Sequence, residues 1–155
     1  MILSHKIGGD VKVAVLLAGC GHQDGSEVRE SVLSLLALEQ CDATPCCVSL
    51  SGSQAKVIDH LTSQPQAVDR HMISEAARLA RGEISLLSEV SVQDYDGLLI
   101  PGGFGSAMNL CNYAVDGKKM VVDPLVSQWI EVFHRMKKPI AAICISPILV
   151  ARTLA

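Results

Sequence analysis

The sequence predicts an α/β fold whose mostly parallel sheet is covered by helices on both faces. Short apolar runs of strand length alternate with amphipathic helical stretches along the chain. This alternation is typical of βαβ units, which bury parallel strands between helices. Sharp or glycine-rich turns follow three of the apolar runs, at residues 19–25, at residues 101–105 and at Cys144. Ligands of such sheets bind beyond the carboxyl ends of the strands.

Length and composition indicate one globular domain over residues 1–155. The 155 residues are 49% hydrophobic and 19% charged, which provides a core and excludes a disordered chain. The net charge of −3 and the aromatic content of 3% provide neither a basic patch nor a stacking platform. We therefore expect no nucleic-acid partner.

The cysteines and the apolar runs predict a cytoplasmic protein. Six cysteines are scattered without the Cys-x-x-Cys spacing of a zinc site, so we expect free thiols, no metal and a reducing compartment. No apolar run reaches membrane-spanning length, and no membrane partner is expected. Residues 1–10 lack both the apolar core of a secretory signal and the pattern of a transit peptide.

The first third of the chain predicts a strand, a turn, a helix and a second strand. Residues 11–18 (VKVAVLLA) are strongly apolar, as in a buried strand. After the turn, Asp24 is expected to cap a helix over residues 27–40, with Glu27 completing a capping box. Residues 44–50 form the second predicted strand. Helical spacing predicts an inward stripe made of Val28, Val32, Leu35 and Leu36.

The middle of the chain combines a polar stretch with a short helix. Residues 51–70 are polar, and their apolar insert at 57–61 fits either a helix or a strand. Residues 73–81 have a helical pattern, and Gly82 is expected to end that helix. The pattern of residues 84–90 is ambiguous.

A further buried strand is predicted at residues 96–100, directly before the second glycine-rich turn. Residues 106–110 are expected to begin a helix. Asp123 and Pro124 predict the start of another helix, as N-cap and first residue. The buried face of that helix is predicted to contain Leu125, Trp129, Val132, Phe133 and Met136.

The last apolar run predicts a nucleophile elbow. Residues 140–143 fit a strand buried on both faces, and Cys144 follows at its end. Ser146 and Pro147 suit the N-cap and first position of a helix over residues 148–154. A cysteine between a buried strand and a helix start faces the positive end of the helix, which favours the thiolate. A buried core cysteine is the alternative interpretation.

If the three turns converge, they bring together the parts of a thiol site. Cys144 is the candidate nucleophile, and the backbone N–H groups of Gly103 and Ile145 are the candidate oxyanion hole. Glu27 and Glu30 lie three residues apart at the helix start, so either is a candidate acid–base group. The alternative for both carboxylates is a solvated helix start that complements the helix dipole.

Six motifs occur in a fixed order along the chain. They are Gly19-Cys20-Gly21, Asp24-Gly25-Ser26-Glu27, the SEAARLARG run at 74–82, Pro101-Gly102-Gly103-Phe104-Gly105, Asn109-Leu110 and Cys144-Ile145-x-Pro147. In this order they resemble the ElbB-type glyoxalases, also called enhancing lycopene biosynthesis proteins. That group belongs to the class I glutamine-amidotransferase-like superfamily, which includes the PfpI-type proteases. The resemblance covers nearly the whole chain from Val11 onward.

The resemblance implies a flavodoxin-like three-layer sandwich in which Glu30, rather than Glu27, is hydrogen-bonded to the Cys144 thiol. It implies a glutathione-independent glyoxalase that converts small dicarbonyls such as glyoxal into 2-hydroxy acids without a cofactor, as a homodimer. Family members continue past the helix after the elbow, so the sequence is expected to stop short of their C-terminal part. The candidate substrate-binding residues are Gly102, Phe104, Asn109 and Cys20.

Two other functions are open at this point. An exposed thiolate at Cys144 oxidises readily, which suits a non-enzymatic redox sensor or binding module of the same superfamily. A cysteine hydrolase or amidotransferase-like protein is the third hypothesis. Many superfamily members carry His directly after the cysteine, and Ile145 at this position removes the nearest base.

Overall fold

Five parallel strands form the central sheet of the protein. The computed structural model describes residues 11–155. These residues contain seven strands in all. They are β1 (Val11–Leu17), β2 (Ala43–Ser49), β3 (Ile58–Asp59), β4 (Gln64–Pro65), β5 (Ile84–Leu86), β6 (Gly97–Ile100) and β7 (Ile140–Ala142). The sheet order is β5-β2-β1-β6-β7 with all neighbours parallel, and β3 and β4 form a separate antiparallel ribbon.

Helices lie on both faces of this sheet. They are α1 (Val28–Gln40), α2 (Met72–Leu79), α3 (Gly105–Met108), α4 (Tyr113–Asp116), α5 (Pro124–Arg135) and α6 (Pro147–Thr153), with single 3-10 turns at Val92–Asp94 and Gly117–Lys119. The predicted α/β class and its flavodoxin-like three-layer arrangement are confirmed.

The core is divided by the sheet, because successive residues of a strand point to opposite faces. In β1, Leu16 joins the cluster that contains Trp129 and Phe133 of α5, whereas Leu17 joins the cluster beneath α1 and α2. Nearly every residue of β1 from Ala14 onward is fully buried. This burial explains why the sequence of the first strand is a nearly continuous apolar run.

The apolar stripe predicted for α1 is wrong. Val28, Val32 and Leu36 are 42%, 47% and 46% exposed, whereas the helix buries Ser31 fully and Leu35 partly. Because α1 contains six Leu or Val residues, helical periodicity fits more than one face. The helix packs against the core through Leu35 and Leu38 instead.

The predicted capping box at Asp24 is also wrong. Helix α1 begins at Val28, and its N-cap is Glu27, whose carboxylate accepts the Glu30 N–H. Asp24 is instead 2% exposed, and its Oδ2 accepts the Ile58 N–H at 2.7 Å. The turn after β1 closes with its own backbone hydrogen bonds, so the helix starts later than predicted.

The C-terminal end of α2 differs slightly from the prediction. Gly82 N–H donates to the Ala77 carbonyl at 2.9 Å, which is the long bond of a Schellman motif. Gly82 thus takes part in the cap as expected. The first left-handed residue, however, is Arg81, with a φ of 53°.

The helix predicted after Asp123 is confirmed as α5. The Asp123 carboxylate accepts the first two free N–H groups at 2.9 and 3.3 Å. Trp129 and Phe133 are buried as predicted, but Met136 is 42% exposed because it lies just past the last helical residue.

The two ambiguous segments both contain strands. Residues 57–61 include β3, which pairs with β4, and residues 84–90 begin with β5. The strand expected at residues 140–143 is present as β7. Its predicted burial on both faces is wrong, because β7 is an edge strand of the described sheet and Ala141 is exposed.

No helix between residues 11 and 155 combines the length and apolar character needed to cross a membrane. Over the same residues, no three His, Cys, Asp or Glu side chains are grouped as a metal site. The prediction made for residues 1–10, that they carry no targeting signal, lies outside the described residues.

Candidate active site

Three turns meet at the carboxyl edge of the sheet, as the sequence predicted. The turn after β1 accepts two hydrogen bonds from the turn after β6: Phe104 N–H donates to His22 O at 2.8 Å and Gly105 N–H to Gly25 O at 2.9 Å. The start of α1 is held by the same turn, since Glu27 N–H donates to Gly102 O at 2.9 Å. These bonds fix the N-terminus of α1 against the end of β6.

Cys144 lies on a sharp elbow directly after β7. Its φ is 57°, in the left-handed region that costs a residue with a side chain roughly 1–2 kcal/mol. Its thiol is exposed, so the alternative interpretation as a buried core cysteine is wrong. A strained, exposed cysteine between a strand and a helix has the geometry of a nucleophile elbow.

The other thiols of the chain are less suited to attack a substrate. Only Cys41 and Cys144 are exposed, and Cys41 lies at the far end of α1. Burial raises the pKa of the remaining thiols, which are Cys20, Cys46, Cys47 and Cys111. A raised pKa keeps a thiol protonated and unreactive. Cys144 is therefore the exposed thiol at this edge of the sheet.

Gly102 lies between the Glu30 carboxylate and Cys144, but within residues 11–155 the hydrogen bond expected between Glu30 and the Cys144 thiol is not present. Glu30 Oε2 accepts the Gly102 N–H at 2.7 Å. A methyl group placed on Gly102 would lie 2.4 Å from that same oxygen and 2.5 Å from Cys144 Cβ. Only a residue without a side chain lets the acid and the cysteine approach this closely.

Glu27 has a different position although it is only three residues away. Its Oε2 accepts the Glu30 N–H at 2.7 Å, so its carboxylate caps α1. The two carboxylates, which helical spacing alone did not distinguish, are thus separated by their contacts. Glu27 holds the helix start, and Glu30 faces Gly102 and the elbow.

The N–H groups proposed for the oxyanion hole are not used elsewhere in the described chain. Between residues 11 and 155, neither Gly103 N–H nor Ile145 N–H has a hydrogen-bond acceptor. Gly103 has a φ of 99°, and a methyl group on it would lie 2.3 Å from Gly25 O and 2.5 Å from Glu27 N. The turn can pack against α1 in this way only with glycine at this position.

The candidate substrate-binding residues differ in their surroundings. Phe104 is 52% exposed beside the elbow turn. Asn109 has all its polar atoms engaged: its amide donates to Ala18 O and Asp24 O, both at 2.8 Å, and its oxygen accepts Ala55 N–H. It joins three chain segments and has no donor left for a ligand.

Cys20 is half-buried at the end of β1. Burial, and then the nearby Glu75 carboxylate, raises the pKa of its thiol. Glu75 also pairs with Arg70 and Arg78, at 3.4 and 3.2 Å. Cys20 thus lies in a charged cluster next to α2.

Two site residues have contacts that the sequence did not predict. Ser146 is the N-cap residue of α6, but its side chain does not cap the helix. Its Oγ lies 2.6 Å from Pro101 O and 2.7 Å from Ser106 Oγ. A serine directly before a helix is normally interpreted as a cap, so the sequence did not indicate that Ser146 contacts Pro101 and Ser106.

Comparisons with known proteins agree with this geometry. A family model described as the DJ-1/PfpI family matches residues 11–154. The chain belongs to the DJ-1/PfpI family. Membership confirms the class I glutamine-amidotransferase-like superfamily that the motifs indicated.

Two mammalian relatives share substantial identity with the chain. It is 40% identical over 144 residues to the Homo sapiens glutamine amidotransferase-like class 1 domain-containing protein 3, mitochondrial. It is 39% identical over 144 residues to the Rattus norvegicus ES1 protein homolog, mitochondrial. Each match covers 92% of this chain and 54% of the relative. The chain thus spans about half the length of the curated relatives it matches.

A solved structure shows the same fold. The isoprenoid biosynthesis protein with an amidotransferase-like domain from Ehrlichia chaffeensis superimposes with a TM-score of 0.88 at 38% sequence identity. The match covers 93% of this DJ-1/PfpI-family chain and 68% of that protein.

Proposed function

We propose that this protein is a cofactor-independent glyoxalase of the ElbB type, which converts small dicarbonyls such as glyoxal into 2-hydroxy acids. One observation carries the proposal: Gly102 contacts the exposed Cys144 elbow and donates its N–H to Glu30 at 2.7 Å. A nucleophile and a carboxylate on either side of one glycine suit a reaction that needs both covalent attack and proton transfer. Family membership and the motif order add support.

The first proposed step is addition of the thiolate to an aldehyde. The Cys144 sulfur forms a bond to one carbonyl carbon, and the carbonyl electron pair moves to oxygen. Gly103 N–H and Ile145 N–H stabilise this oxyanion, a contribution of roughly 3 kcal/mol per donor in related sites. Protonation of the oxyanion gives a hemithioacetal.

The second proposed step is a proton shift by Glu30. The carboxylate removes the proton from the carbon bonded to sulfur and returns a proton to the neighbouring carbon. The hydroxyl proton on the first carbon's oxygen moves to the oxygen of the second carbon. The first carbon thus becomes a thioester carbonyl and the second an alcohol, so oxidation and reduction balance within the substrate. Water then cleaves the C–S bond, which releases glycolate and restores the thiol. No external oxidant or cofactor is needed.

Glycolate formation from glyoxal, measured by NMR, tests this proposal. We expect Cys144→Ala to lose activity and Glu30→Gln to lose at least about 100-fold, the usual contribution of an acid–base group. Cys41→Ala removes the other exposed thiol and serves as the matched control with unchanged activity. Equal glycolate formation by wild type and Cys144→Ala would refute the proposal.

A redox sensor is the second candidate, because the same Cys144 thiol is exposed and follows a strained elbow. Mass spectrometry after mild peroxide treatment distinguishes the two functions. Selective oxidation of Cys144 without any glyoxal turnover would favour the sensor.

We further propose a homodimer that resides in the cytoplasm. The names of the human and rat relatives place those two proteins in mitochondria. Light scattering of the purified protein tests the dimer, and fractionation of cells that express the full-length gene product tests the compartment. A monomer in the first experiment or a mitochondrial protein in the second would contradict these two proposals.

A further inference from the structure

Two buried serines lie behind the elbow, and the proposed reaction does not use them. Ser106 and Ser146 are both 0% exposed. Ser146 Oγ lies 2.6 Å from Pro101 O, Ser106 Oγ lies 3.2 Å from the same oxygen, and the two hydroxyl oxygens are 2.7 Å apart. The two hydroxyl groups together have only two hydrogens, so they cannot donate in all three contacts at once. The shortest distances assign a chain in which Ser106 donates to Ser146 and Ser146 donates to Pro101.

The carbonyl at the end of this chain belongs to the peptide unit that contacts the acid. Pro101 C=O and Gly102 N–H are parts of one planar trans peptide, so they point in opposite directions. On the carbonyl side the peptide accepts the Ser146 hydroxyl at 2.6 Å. On the N–H side it donates to Glu30 Oε2 at 2.7 Å. A single rigid plane is therefore held from both sides.

Hydrogen bonds that share one peptide strengthen each other. A donor on the carbonyl oxygen polarises the amide and makes its N–H a better donor, by about 10–30% per bond. It also prevents the peptide plane from rotating. The hydroxyl of Ser146 therefore affects Glu30 without touching it.

We propose that Ser146, supported by Ser106, is a positioning residue that orients the Pro101–Gly102 peptide and through it fixes the Glu30 carboxylate beside Cys144. The inference rests on the acid–base role proposed for Glu30. Ser146 contacts no reacting atom in this scheme, and its effect is transmitted by the Gly102 N–H.

An NMR comparison of variants tests the link without requiring catalysis. We expect the Gly102 amide proton to shift upfield in Glu30→Gln, which removes the charged acceptor. We expect an upfield shift of the same resonance in Ser146→Ala, although the Ser146 hydroxyl makes no bond to that N–H. Ser49→Ala is the matched control, since Ser49 is also 0% exposed and its hydroxyl donates to a β1 carbonyl at 2.8 Å. Its removal should leave Gly102 unchanged.

Kinetics provide the second measurement. Loss of one supporting hydrogen bond should lower kcat for glyoxal about three- to tenfold in Ser146→Ala and leave KM unchanged. Ser106→Ala should act in the same direction with a smaller effect, and it carries the test if Ser146→Ala does not fold.

The outcomes separate this inference from the proposed function. A folded Ser146→Ala protein with an unmoved Gly102 resonance would overturn the inference, as would an equal shift in Ser49→Ala. If the Gly102 resonance shifts as expected in Ser146→Ala and Glu30→Gln but the wild-type protein forms no glycolate, the link between Ser146 and Glu30 is retained and the proposed glyoxalase activity is rejected.

Discussion

A single glycine determines whether the candidate site can assemble. Gly102 separates Glu30 from Cys144, and a methyl group there would lie 2.4 Å from Glu30 Oε2. Contacts of this length force the carboxylate or the elbow to move. We expect Gly102→Ala to fold but to lose at least about tenfold in glyoxalase kcat/KM, as is usual when catalytic groups are displaced by an ångström.

Gly97→Ala is the control for this prediction. Gly97 belongs to β6, the strand that precedes the Gly102 turn, and a methyl group on Gly97 would lie 3.4 Å from its nearest neighbour, a side-chain atom of Pro139. Its activity should remain close to wild type. An active Gly102→Ala enzyme would contradict the close approach of Glu30 and Cys144 described here.

The Cys47 thiol should make folding sensitive to alkaline pH. Burial raises the pKa of Cys47 to about 11, above the value near 9 expected in the unfolded chain. The unfolded state therefore loses this proton first, and the free energy of unfolding should fall between about pH 9 and pH 11. Urea denaturation at several pH values measures this slope. Cys47→Ala should reduce the slope, and Cys41→Ala, at an exposed position, should leave it unchanged.

At the scale of elements, the start of α1 assigns different roles to its two glutamates. Glu27 caps the helix through the Glu30 N–H. Glu27→Gln keeps a side-chain oxygen as acceptor, so it should retain stability and glyoxalase activity. Glu27→Ala loses the cap, which typically costs about 1 kcal/mol of the free energy of unfolding. Denaturation and glycolate assays measure both quantities. Loss of activity in a stable Glu27→Gln protein would transfer the acid–base role to Glu27.

At the scale of the whole molecule, Asn109 joins three separate parts of the chain. Its side chain bonds the end of β1, the following turn and the segment around Ala55. Asn109→Ala should lower the free energy of unfolding by about 2–4 kcal/mol, since the backbone carbonyls of the buried Ala18 and Asp24 lose their partner. Chemical denaturation measures this loss.

The control for that prediction is Asn112→Ala, because Asn112 bonds only nearby residues at an exposed site. It should cost about 1 kcal/mol or less. If Asn109→Ala instead raised KM for glyoxal and left stability unchanged, Asn109 would be assigned to substrate binding, as the sequence predicted, and its structural role would be rejected.

The sequence by itself determined four strands of the sheet (β1, β2, β6 and β7), the turns that follow β1 and β6, and the position of Cys144 after the last strand. Residues 14–18 are apolar because this part of the chain is buried on both faces, and such a run can be recognised in the sequence without knowing its neighbours in the fold. Cys144 is recognisable because a strand, a turn and Pro147 follow each other closely in the chain. These features are local, so pattern is sufficient to find them.

Only the tertiary structure decided which side chains face the site. Val28 and Val32 fit a buried stripe by spacing, yet α1 leaves them exposed and packs Leu35 and Leu38 against the core. Rotation of a helix about its axis is set by contacts distant in sequence. Asp24 and Ser146 both occupy positions typical of helix caps. Their oxygens bind distant backbone groups instead, since buried hydrogen-bonding groups must find partners wherever the fold brings them together.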